Sequence, residues 1–311
     1  MSNKWKIGAF LFLLLAVFSF SAVQDNIEKS FRVGPGGTLY VDAERGSVEV
    51  RGTNDNRVDV EIRREVRDYS GDRARRILDD YIISFDQTGD DVRITAQFKD
   101  RTWSRERNRE RNKLQVRFIV TVPRKYNIDC LTKGGSITAE NLDGEVKCKT
   151  SGGSLSFDDV TGNINGHTSG GSIRIGAVGG LVNVDTSGGS ITIDNAGGDV
   201  TATTSGGGIT VREVKGSINA RTSGGSVKAT ISLQPKADCS LKTSGGSVTV
   251  YLDSDIAVSV EAHTSGGSIN TDFPVKIQGK IDRNDLKFDI NGGGPELLLR
   301  TSGGSIYIKE K

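Results

Sequence analysis

The chain has 311 residues, of which 40 are Gly and only 5 are Pro; a glycine share about twice the usual one, with so little proline, excludes collagen and proline-rich disorder. Ile, Val, Leu and Phe make up roughly a quarter of the residues, above the ~20% below which chains stay unfolded, yet aromatic residues reach only 6% and there is one Met. The expectation is one elongated body with a thin core of β-branched side chains, and a net charge of +2 gives no case for nucleic acid as a partner.

Residues 1–21 read as an export signal. Lys4 and Lys6 form a basic start, Ile7 to Phe18 is an apolar run broken only by Gly8, and Ser19-Phe20-Ser21 supplies small residues for cleavage near Ser21 or Ala22. If it stays uncleaved, this segment is the only expected membrane contact. No Cys follows the apolar run before Cys130, so a lipid-modified mature N-terminus is not expected. Cys130, Cys148 and Cys239 are the only cysteines, too few for a disulfide framework in an exported chain.

Residues 22–130 form a strand-rich N-terminal cap region. Leu39 to Ala43, Gly46 to Gly52 and Val58 to Val66 alternate like strands. Asp72 to Tyr81 has helical spacing, with Ala74, Ile77, Leu78 and Tyr81 on one face and Asp72 near the N-cap. Strands near Tyr81–Asp86, Asp91–Phe98 and Leu114–Val122 follow, and Pro123 stops the last. Between the second and third of these, Asp100 to Lys113 carries six basic and three acidic residues around Trp103. Arg101, Trp103, Arg105, Arg107, Arg109 and Arg111 are the candidate contact for a polyanion or glycan, because Arg forks pair with carboxylate or phosphate and Trp stacks on a sugar face. The favoured reading of this stretch is nonetheless a solvated hairpin excursion whose charges balance one another.

Residues 131–311 are governed by a repeat. Thr-Ser-Gly-Gly-Ser, or a variant differing at one residue, begins at Thr132, Thr150, Thr168, Thr186, Thr204, Thr222, Thr243, Thr264 and Thr301; the first five intervals are 18 residues, the next two 21 and the last 37. The sixth position is always apolar (Ile137, Leu155, Ile173, Ile191, Ile209 and onward), the eighth is usually so, and the seventh is mostly polar, which describes a strand with one buried face. A second such strand starts nine residues later, as at Val146 and Cys148 or Val182 and Val184. A unit of two short strands cannot bury its apolar face alone, so the units must stack. The predicted fold is all-β: a parallel β-solenoid, or β-helix, of 18-residue coils, capped at the N-terminal end by the mixed strand region with its short helix. Two strands per coil is the simpler cross-section, with three short sides per coil as the alternative.

Gly-Gly and the single Gly at position thirteen mark the corners. Two reasons are expected: positive φ at tight turns, and the lack of room for a side chain against the next coil. The Thr and Ser columns are expected to form hydroxyl ladders. The 37-residue interval implies an irregular coil over 270–300, and the far end is expected to be protected by the charges of Lys309, Glu310 and Lys311. Cys130 and Cys148 lie one period apart at one inward position and are expected to be free core thiols.

The signal, the Gly-Gly-Thr-Leu-Tyr-Val-Asp opening at residues 36–42, Gly46-Ser-Val-Glu-Val, the helix around Arg76-Ile-Leu-Asp-Asp, Val122-Pro123 and then the Thr-Ser-Gly-Gly-Ser-Ile repeats together resemble the bacterial domain-of-unknown-function family labelled "putative adhesin". The resemblance covers nearly the whole mature chain. It implies a β-solenoid in the bacterial envelope, periplasm or outside the cell, and it brings no catalytic motif. His167 and His263 stand far apart in sequence without ligand-spaced neighbours, and the turns lack the paired Asp of calcium β-rolls, so no metal, cofactor or catalytic residue is predicted. The expected function is a non-enzymatic, adhesin-like or scaffolding protein whose partner is an envelope or cell-surface component, protein or glycan. The alternative is a glycan-binding module or glycan-active enzyme using the Arg/Trp loop and the irregular coil near Phe273 to Pro295.

Overall fold

In the computed structural model, which describes residues 23–99, 104–274 and 284–311, the apolar columns of the repeat become the two facing walls of one core. Residues 1–21, read as the export signal, lie outside the described residues, as do Arg101 and Trp103. Strands β1 (Val23–Arg32), β2 (Thr38–Ala43), β3 (Ser47–Thr53) and β4 (Arg57–Val66) lead to helix α1 (Gly71–Asp80), then β5 (Tyr81–Thr88), β6 (Asp91–Phe98), helix α2 (Arg105–Arg111) and β7 (Leu114–Pro123). The repeat then lays down strands in pairs: β8 (Asn127–Thr132) with β9 (Ile137–Leu142), β10 (Val146–Thr150) with β11 (Leu155–Val160), β12 (Ile164–Thr168) with β13 (Ile173–Val178), and β14 (Val182–Thr186) with β15 (Ile191–Ala196). It continues through β16 (Val200–Thr204) with β17 (Ile209–Val214), β18 (Ile218–Arg221) with β19 (Val227–Ile231), and β20 (Cys239–Lys242) with β21 (Val248–Leu252). The last strands are β22 (Val258–Thr264), β23 (Ile269–Thr271), β24 (Asp285–Ile290), β25 (Glu296–Thr301) and β26 (Ile306–Glu310).

Each regular coil gives one strand to each of two 13-stranded sheets, which settles the cross-section as two-sided. The parallel register follows the repeat residue by residue: Val146 pairs with Ile164 and Thr150 with Thr168 in one sheet, Leu155 with Ile173 in the other. Cys130 and Cys148 are in register across β8 and β10, and all three cysteines are buried free thiols. Facing rows of Ile, Val, Leu and Ala fill the space between the sheets. The echo of the repeat at Gly46-Ser-Val is structural, since β3 pairs in parallel with β9, Val48 opposite Ile137.

At the corners only one of the two expected reasons for glycine holds. None of the glycines of the Thr-Ser-Gly-Gly pentapeptides has positive φ. A Cβ on Gly153 would instead stand 2.1 Å from the carbonyl oxygen of Gly135, and one on Gly171 2.0 Å from that of Gly153, so the stacked backbones leave no room. The ladders are also not hydroxyl to hydroxyl. Buried Thr150, Thr168 and Thr186 each donate from Oγ1 to a glycine carbonyl fifteen residues earlier, at 2.7–2.8 Å, while the Ser154 N–H donates to Ser136 Oγ at 3.1 Å and the Ser172 N–H to Ser154 Oγ at 3.2 Å. Side-chain hydroxyls thereby satisfy corner backbone groups that neither sheet can reach.

Both ends depart from chain order. One sheet runs β1-β4-β7-β3-β9 and finishes β21-β26-β23; the other begins β24-β22-β25-β20 and finishes β8-β2-β6-β5. The β2–β3 coil is therefore covered by β6 and β7, which come later in sequence, and the β25–β26 coil is inserted between β20–β21 and β22–β23. This corrects the expectation for the far end: the charges at Lys309 to Lys311 do not guard it, because β26 lies between two parallel neighbours and β23 and β24 are the outer strands. At the other end β1, β4 and β7 pair antiparallel, as do β5 and β6, and α1 lays Ala74, Ile77 and Leu78 onto the core. Its N-cap is Ser70, with Asp72 in the first turn rather than at the cap.

Candidate functional site

The candidate Arg loop contains a helix rather than a plain hairpin excursion. Ser104 begins α2, accepting at its Oγ from the Arg107 N–H at 3.2 Å, and none of the helix residues is buried. Arg105, Arg107 and Arg109 are exposed. Arg111 points inward: its Nε and Nη2 donate to Asp80 Oδ2 at 3.0 and 2.8 Å, and its guanidinium lies 4.4 Å over the Phe98 ring. Arg73 on α1 donates to Glu110 at 2.8 Å, so α2 is clamped to α1 by charge. Among the described residues, the predicted arginines thus do not converge. Arg111 joins Asn108, Asn112 and Lys133 in a shallow hollow of about 450 Å³, which Arg45 separates from a larger groove.

That larger groove was not anticipated. It encloses about 800 Å³ on the shoulder where β1, β4, β7 and β3 curl toward the Gly-Gly corner. Strand pairing sets Asn26, Arg63, Arg117 and Ser47 in one row across the four strands, and Gln24, Glu65 and Gln115 in the next. Gly46, Gly134 and Gly135 form its floor. Gly46 has φ +130°, and a Cβ there would meet Phe118 at 2.6 Å, so that position stays bare for steric reasons. The residues of these two rows sit at outward positions that alternation alone marks as solvent-facing. Only the out-of-order pairing β1-β4-β7-β3 brings them together, and no local signal announces that order.

Charge is arranged rather than absent in the groove. Arg63 donates to Glu61 through Nε at 2.6 Å and Nη2 at 3.1 Å, and this bonding holds the Glu61 carboxyl below its usual range and raises the Arg63 pKa. Arg117 Nη2 donates to Glu49 at 2.6 Å. A guanidinium has five N–H donors, so both keep spare ones. Arg45 donates to Asn112 Oδ1 at 2.6 Å, and burial lowers its pKa. Arg64 sends Nη1 to the carbonyls of Leu78 and Tyr81 at 3.1 and 3.3 Å and pairs with Asp25, while its Nε is buried without a partner. The side chains of Gln24, Asn26 and Gln115 make no hydrogen bond among the described residues.

Glu28 and Glu61 face each other across β1 and β4, a carboxyl pair beside a second open groove of about 690 Å³. Retaining glycosidases use paired carboxyls, one of them kept protonated. Arg63, bonded to Glu61, favours the ionised form of that carboxyl. His167 contacts Asp185 and His263 lies 3.5 Å from Asp285, each one carboxylate short of a ligand set; among the described residues no group of three or more His, Cys, Asp or Glu could hold a metal ion. No helix among them is long and apolar enough to cross a membrane.

No curated protein matches this chain in sequence. Among solved structures it is similar to a "putative cell adhesion protein" from Clostridium sporogenes, at 14% identity and a TM-score of 0.30, over 92% of this chain and 100% of that one. A "putative adhesin" from Bacteroides fragilis matches at 13% identity and a TM-score of 0.34, over 92% and 97% of the two chains. A "putative lipid binding protein" from Parabacteroides distasonis does so at 10% identity, also with a TM-score of 0.34 and the same coverage. The decisive match is at the level of family: residues 38–309, from the start of β2 into β26, fit the family described as Toastrack DUF4097, and the chain belongs to it.

Proposed function

We propose that this protein is an exported, non-enzymatic, adhesin-like component of the bacterial envelope that meets its partner through extended surface. The observation that carries this reading is how the chain is used. The regular coils, β8 to β21, stack into two long sheets whose corners are closed by Thr and Ser hydroxyls bonded to backbone, and the sizeable concavities described lie open on the N-terminal shoulder. Such a body suits presentation of a surface better than enclosure of a substrate, which pockets for small molecules normally achieve. The apolar run at Ile7 to Phe18 and the adhesin label of the family resemblance point the same way. The partner is an envelope or cell-surface component. Fractionation of the source cells tests the placement: the protein is expected in the envelope, periplasmic or external fraction, and retention in the cytoplasm overturns the reading.

A further inference from the structure

The shoulder groove has features that a mere solvated face lacks. Its first row presents two guanidinium groups side by side, Arg63 and Arg117, in register on β4 and β7. Like charges opposed across a sheet are destabilising, and Glu61 and Glu49 offset that by binding each from one side. Arg63 spends two N–H donors on Glu61 and Arg117 one on Glu49, which leaves three and four of five for something else. The next row, roughly 7 Å along the strands, is uncharged except for Glu65. Gln24 and Gln115 flank it there, and their amides, like that of Asn26 beside Arg63, are unengaged among the described residues.

We infer that this groove binds a carboxylated glycan chain, with Arg63 and Arg117 gripping the carboxylate and Gln24, Asn26 and Gln115 holding sugar hydroxyls. The guanidinium fork matches a planar carboxylate, while amides give and accept at once, as a hydroxyl requires. Glu61 and Glu65 disfavour the most densely charged polymers. A chain with two or more sulfates per unit would press charge against both, whereas a uronate unit carries one carboxylate beside free hydroxyls that a carboxylate side chain can accept from. The groove is open to solvent, and Gly46, Gly134 and Gly135 in its lining let a chain approach the backbone. The inference deepens the adhesin-like reading by naming its ligand class, but it stands on the purified protein alone.

The test is native electrophoresis of the purified protein in gels containing polygalacturonate, with dextran, dextran sulfate and polyglutamate in parallel gels. The wild type is expected to be retarded by polygalacturonate more than by the other three. Arg63→Gln combined with Arg117→Gln should weaken that retardation roughly tenfold or more, Gln24→Ala combined with Gln115→Ala several-fold, and Arg105→Gln combined with Arg109→Gln on the exposed face of α2 not at all. No retardation of the wild type overturns the inference, as does equal retention by dextran sulfate or polyglutamate, or equal loss in the α2 variant. If the arginine variant fails to fold, the glutamine variant decides, since its side chains support nothing in the fold. Binding by a protein that fractionates with the cytoplasm keeps the groove and sinks the envelope reading; an envelope protein that ignores polygalacturonate does the opposite.

Discussion

Gly152 and Gly153 are neighbours in one pentapeptide, and the structure treats them differently. A Cβ on Gly152 finds nothing nearer than 3.9 Å, whereas on Gly153 it would stand 2.1 Å from the Gly135 carbonyl oxygen. Neither has positive φ. Gly153→Ala must push two stacked backbones apart and is expected to cost about 1–3 kcal/mol, whereas Gly152→Ala should be neutral or stabilising by roughly 0.4–1 kcal/mol through the unfolded state. Thermal midpoints of the two variants check this, and a reversed order refutes the corner geometry. The glycine column was readable from the repeat, because periodicity says that each residue has a copy above it. Its cause was only half readable, because φ at a corner depends on how the backbone turns. The buried Thr column was readable in the same partial way: the period marks the position, but the acceptor is a carbonyl fifteen residues away in chain and adjacent only in the stack.

At the scale of elements, α1 was legible and α2 was not. Ala74, Ile77 and Leu78 recur at helical spacing because they bury one face against the core. Helix α2 buries no residue, so it leaves no apolar period, and its run of arginines and glutamates reads equally well as a loop. What fixes it is a set of ion pairs to α1, chiefly Arg111 with Asp80 and Arg73 with Glu110. Arg111→Gln should therefore release the helix without unmaking the rod. Trypsin is expected to cut at Arg105, Arg107 or Arg109 several times faster in the variant, while the main thermal transition survives. Unchanged cleavage rates would show that something other than Arg111 holds α2 down. The shoulder groove escaped sequence reading for a related reason, since its rows are assembled from β1, β4, β7 and β3 in an order that no hydrophobic pattern encodes.

For the molecule as a whole, the repeat fixed the number and register of coils but not the sequence in which they stack. The 37-residue interval between Thr264 and Thr301 implies an irregular coil but does not say where that coil lies in the stack. The chain runs outward through β22, β23 and β24, then returns to place β25 and β26 inside them. Deleting residues 296–311 would accordingly remove a coil from within the stack. That truncation is expected to detach β22 from its parallel partner and to leave β20 and β21 with long bare edges, which invite self-association. Size-exclusion chromatography should show large aggregates and circular dichroism a broadened transition. A monomer with a sharp, modestly lowered midpoint would mean that only an end coil had been lost.

The same inserted coil constrains how the rod comes into being. A stack laid down in chain order could zip from one end as its residues arrive. Here β21 must wait for β26, made after β22, β23, β24 and β25, and β22 must wait for β25. A chain emerging N-terminus first keeps β20, β21 and β22 without these partners until β25 and β26 are free. The inserted coil thus also times the closing of the coils on either side of it.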